Sequence, residues 1–135
     1  MTKLLLIPTI RSGILYATFT LGGTICNQAI AQVPAPFIGS WKTTWQADKK
    51  SYDAVMIVNE KGGTWQTYIR NQNNPCAGRE VPMRVESSSP TEVKFELQFS
   101  EVIPGCKNTT VTLKASPDGA VTGLRSKFEL TLAKQ

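Results

Sequence analysis

Seven residues could contact a ligand by stacking, directed hydrogen bonding or charge: Trp45, Tyr52, Tyr68, Arg70, Asn71, Asn73 and Arg79. Trp45 and Tyr52 bracket one polar stretch, and Tyr68 and Arg70 lead into a second, rich in asparagine. Aromatic rings stack on flat faces and a guanidinium presents a fixed fork of donors, so this set suits sugars or planar anions. Catalytic chemistry is harder to build. The chain has no histidine, which removes the commonest general base and the commonest neutral metal ligand. Asp48 and Asp53 flank one loop but are too few for a calcium cage without help from carbonyls. Glu86, Glu92, Glu96 and Glu129 fall on the polar faces of alternating runs, and Ser87, Ser88 and Ser89 have no recognisable base partner. The expectation is a binding protein rather than an enzyme, with no cofactor and no metal.

Cys76 and Cys106 are the only cysteines after residue 31. In an exported chain two cysteines most economically form one disulfide, and the C-x-x-C proximity of a redox pair is missing. Export itself is read from the N-terminus. Lys3 and Arg11 supply positive charge, residues 14–25 are uncharged and largely apolar, and Ala29-Ile30-Ala31 has the small-x-small form of a cleavage site. Residues 1–31 are therefore expected to be a signal peptide and 32–135 the domain, placed in the periplasm or secreted. Gly22, Gly23, Asn27 and Gln28 interrupt the apolar run, so no stable membrane anchor is expected after cleavage. Residues 32–135 carry thirteen basic and ten acidic side chains, interspersed as in Glu92-Val93-Lys94-Phe95-Glu96. That pattern offers no basic stripe, and nucleic acid is not an expected partner.

The elements that must position these residues read as strands. Trp41, Thr43 and Trp45 alternate with polar neighbours, as do Tyr52, Ala54, Met56 and Val58. The chain turns at 60–63, returns through 64–70, and enters the polar loop 71–79. Residues 80–86 contain Pro82, which suggests an edge or a bulge. Strict alternation predicts a strand over 92–101, another over 110–115, and a tight turn at Ser116-Pro117-Asp118-Gly119. In 121–132, Gly123 suggests a bulge or break, leaving open one bent strand or two. Pro34 and Pro36 make 32–37 an extended lead-in ahead of the domain. No stretch has a helical apolar period. The fold class is all-β, a small antiparallel meander barrel of about seven or eight strands.

A meander places loops 46–51, 71–79 and 102–109 at one end and turns 60–63, 87–91 and 116–119 at the other. It also brings Cys76 and Cys106 to the same end, within disulfide reach. Gly39-Ser40-Trp41 resembles the G-x-W opening of the calycin barrels, the lipocalins and avidins. Asp118-Gly119-Ala120-Val121-Thr122-Gly123 is similar to the D-G-x-x-x-G hairpins of avidin-type barrels. The resemblance implies a barrel whose Trp41 plugs the closed end, and a generic small-ligand role. An avidin's set of biotin-contacting residues cannot be placed on this chain. Two functions follow. One is a binding module for a small ligand or glycan at the disulfide-side mouth. The other is a protein-interaction module, such as a secreted inhibitor using loop 71–79. An apolar cavity favours the first, and a filled barrel with a protruding loop the second.

Overall fold

A computed structural model describes residues 32–70 and 73–135; the expected signal segment 1–31 and Asn71 lie outside the described residues. Eight strands follow in order: β1 (Gly39–Ala47), β2 (Lys50–Asn59), β3 (Gly62–Thr67), β4 (Glu80–Ser89), β5 (Glu92–Leu97), β6 (Thr109–Ala115), β7 (Val121–Arg125) and β8 (Phe128–Lys134). Each pairs antiparallel with the next, and β8 returns to β1 to close the barrel. The closing ladder runs from Trp41 opposite Lys134 to Thr44 opposite Thr131. The all-β meander expected from the sequence is the architecture found. Among the described residues no helix is long and apolar enough to cross a membrane.

Alternation decides which side chains fill the barrel. In β5, Val93, Phe95 and Leu97 are fully buried while Glu92, Lys94 and Glu96 are half-exposed. Trp65, Met56, Phe95 and Leu113 pack the interior with no exposure. The β2–β3 turn is tighter than 60–63, because Gly62 and Gly63 already belong to β3. Both have φ near 141°, and a Cβ on Gly63 would lie 1.9 Å from the Ile57 carbonyl oxygen. Only glycine lets the strands approach this closely.

Four local expectations are corrected. Residues 32–37 are part of the core, not a lead-in. Proline restricts φ to values a turn can use, and a 3-10 turn over Ala35–Phe37 seats the fully buried Phe37 at the closed end. Val33 is buried with it, its N–H donating to the Glu60 carbonyl at 3.0 Å. Trp41 is also at this end and donates Nε1–H to the Phe37 carbonyl at 2.9 Å. Residues 92–101 are not one strand. The strand stops at Leu97, Gln98 leaves extended geometry at φ −87° and ψ 56°, and a helical turn, α1 (Phe99–Val102), buries Phe99.

Pro82 is not on an edge of the sheet, for it pairs with Thr64. Its carbonyl accepts from the Gln98 N–H at 2.9 Å, just beyond Met83 and Leu97, where the β4–β5 ladder ends. A residue's N–H and C=O face the same neighbour in an antiparallel ladder, so the donor that proline lacks falls at the ladder's end. A register shift does occur in β4, between Val85 and Ser87. Gly123, lastly, is not a bulge. It pairs regularly with Leu113 and Leu130, and a Cβ there would meet Leu113 Cδ2 at 3.0 Å. The chain breaks instead at Ser126-Lys127, with Ser126 at φ 52°, so 121–132 forms two strands.

Candidate functional site

The β1–β2, β3–β4, β5–β6 and β7–β8 connections all lie at one end, as an eight-strand meander requires. The Cys76–Cys106 disulfide, with Cα atoms 5.8 Å apart, ties the long β3–β4 loop to the connection after α1. Beside it opens a pocket of about 220 Å3, lined by Trp45, Ala47, Tyr52, Thr67, Asn74, Cys76, Phe99, Lys107, Arg125 and Phe128. Trp45 stacks on its cross-strand partner Tyr52, with centroids 5.4 Å apart and planes 13° from parallel, and tilts against Trp65 at 5.7 Å. Trp65 donates Nε1–H to the Thr67 hydroxyl at 2.9 Å.

At the centre is a cation. The Arg125 guanidinium carbon lies 4.8 Å from the Trp45 ring centroid and 5.9 Å from those of Trp65 and Phe99. Among the described residues it makes no ion pair and no hydrogen bond, and its Nε is buried without a partner. Burial pushes its pKa below the ordinary arginine value, and the Tyr52 hydroxyl acts in the opposite sense. A guanidinium nevertheless stays protonated at any working pH. The faces of three rings partly replace its water. No carboxylate completes the job. Lys107 is the second cation of the lining, which contains no Asp or Glu.

No protein-family model, curated protein or solved structure matches this chain. The site therefore stands on its own geometry.

Of the residues expected from the sequence, Trp45 and Tyr52 line this pocket. Tyr68 and Arg70 do not. Asp53 lies between the inward Tyr52 and Ala54, so it faces the outside of the barrel, and Arg70 pairs with its carboxylate there. Tyr68 is half-exposed on the outer lip and with Arg70 borders a crevice of about 10 Å3. Asn73 is exposed beside Ile69, Asn74 and Pro75. Arg79 donates to the Val102 carbonyl at 2.9 Å, bracing the β3–β4 loop against α1.

Arg125, Phe99 and Phe128 were not anticipated. In Leu124-Arg125 the apolar residue reads as the inward one, yet Leu124 is exposed and Arg125 points in. The usable signal was the step of two from Val121 through Gly123 to Arg125, which holds once β7 is known to be regular.

Proposed function

We propose that the protein is an exported binding module that takes a small ligand into the disulfide-side mouth of its barrel. The observation that carries this reading is the pocket's lining, stacked aromatic rings around a cation that no described residue neutralises. The closed eight-strand barrel and the closed-end position of Trp41 support the resemblance to calycin barrels. The disulfide supports a periplasmic or secreted location, since such bonds persist in oxidising compartments. At about 220 Å3 the space falls below the ~300–1,000 Å3 that holds a drug-sized ligand. The ligand is thus a single flat molecule or one sugar ring, such as the terminal unit of a glycan.

The test is an NMR titration of isotopically labelled, disulfide-intact protein with a mixture of monosaccharides and small aromatic acids, amides and alcohols. Perturbed signals are expected at Trp45, Tyr52, Phe99 and Arg125. A library that leaves all four unmoved sinks the proposal.

One observation favours a second reading, the protein-interaction module. Ile69 is 67% exposed and Tyr68 46% on the outer lip of the β3–β4 loop, an apolar pair suited to a partner's surface. On that reading Tyr68, Arg70, Asn73 and Arg79 belong to a docking edge. Ile69→Asp would then abolish capture of a protein partner while substitutions inside the pocket leave it intact.

A further inference from the structure

We propose that the pocket's ligand is a small organic carboxylate with a flat apolar body, its carboxylate taken by Arg125 and its body laid among the surrounding rings. This rests on the small-ligand reading above and names its chemistry.

Arg125 is half-buried with its Nε unpartnered. A guanidinium nitrogen taken out of water without an acceptor is a cost that folding alone has no reason to carry, while the terminal nitrogens that remain accessible are free to take an anion. The exposed arginines show what the fold does when charge is only structural. Arg70 has Asp53, Arg84 has Glu101 at 3.0 Å, and Arg79 has the Val102 carbonyl. Unlike them, Arg125 has its Nε buried without a partner. The missing acceptor is supplied by a ligand.

Its shape follows from the neighbours. A guanidinium is flat, and its fork matches the two oxygens of a carboxylate. The rings of Trp45 and Phe99 hold it in place, so little freedom is lost on pairing. Beyond the guanidinium the lining offers Tyr52, Phe99 and Phe128 as apolar surface. Lys107 adds positive charge to the same lining and draws anions in. A neutral sugar would leave the charge of Arg125 unmatched.

The experiment uses disulfide-intact protein with benzoate, benzamide and acetate, followed by calorimetry and by tryptophan fluorescence, since Arg125 lies against Trp45. Benzoate is expected to bind, and benzamide and acetate to bind about tenfold more weakly or worse, the equivalent of one lost charged contact. Arg125→Gln is expected to lose benzoate by about tenfold or more, and Arg125→Lys, which keeps the charge without the fork, to fall between. Arg125→Met reports the role of the residue. A cation kept for a ligand leaves Arg125→Met melting at or above the wild type, whereas a purely structural clamp leaves it melting lower.

Equal binding of benzamide and benzoate, surviving Arg125→Gln, overturns the carboxylate and leaves the small-ligand reading standing. So does a pocket that responds in the NMR titration only to sugars. Benzoate binding unchanged in an Arg125→Met protein of lowered melting temperature also overturns it. No response of the pocket to any probe overturns both.

Discussion

Trp41 and Trp45 sit on the same face of β1, about 13 Å apart along the strand, and each has a cation over its ring: Lys134 Nζ at 5.5 Å from Trp41 and the Arg125 guanidinium at 4.8 Å from Trp45. At Trp41 everything is finished. Its Nε1 is bonded to Phe37, the residues beneath it are buried, and Lys134 is exposed to water. At Trp45 the cation is half-buried, and its Nε is buried without an acceptor. The same pairing of ring and charge thus serves closure at one end and readiness for a ligand at the other. The indole N–H at the closed end finds its partner within the fold.

The predictions press on this contrast. The largest effect is expected from Phe37→Ala, which empties the closed end and should cost about 3–5 kcal/mol in denaturant unfolding, with ligand affinity unchanged in the protein that remains folded. Affinity falling in step with stability would dissolve the distinction between the ends. Replacing Cys76 and Cys106 together by alanine should cost about 3–4 kcal/mol, by release of the closed loop. Here the affinity should fall as well, because Cys76 lines the pocket.

Gly123→Ala, between the two ends, forces a methyl group against Leu113 and should cost about 1–3 kcal/mol of overpacking in thermal or chemical melts. Asp118 at the closed end gives the smallest effect. Its carboxyl is held below the ordinary aspartate value by the Ser116 hydroxyl and then by the Ala120 N–H. Its contribution is therefore complete above the unfolded value and is lost as pH falls from about 4 through the lowered folded one. The melting difference between wild type and Asp118→Ala should be small at neutral pH and vanish in acid; a difference that grows in acid would contradict the sign.

Much of the barrel was legible because period-two patterning needs no tertiary knowledge. The alternation at Trp41, Thr43 and Trp45 and at Val93, Phe95 and Leu97 survives intact in the structure. The meander also placed the two cysteines together before any contact was known. What sequence could not show was interaction across elements. Pro34 and Pro36 hide that Phe37 turns back over the barrel, and the apolar Phe99 continues a strand pattern although it belongs to α1. Trp45 and Tyr52 could be placed at the mouth because they flank its first loop. Arg70 and Arg79 looked free only because Asp53 and Val102, their partners, are distant in sequence. Arg125 was hidden by the opposite fault, since hydrophobicity assigns Leu124 to the interior and chemistry of the pocket assigns Arg125.

Closure of the barrel sets the order in which the chain can pair its strand edges. β1 finds β2 across a short connection, and such hairpins form in microseconds, but the other side of β1 waits for Phe128–Lys134. Until that strand arrives, β1 and β7 are bare edges, each a template for pairing with another chain. Nascent or refolding protein lacking β8 is therefore expected to associate into oligomers rather than persist as a seven-stranded monomer. The four residue pairs that zip Trp41–Thr44 to Thr131–Lys134 are the step that turns a ribbon with two open edges into a barrel without any.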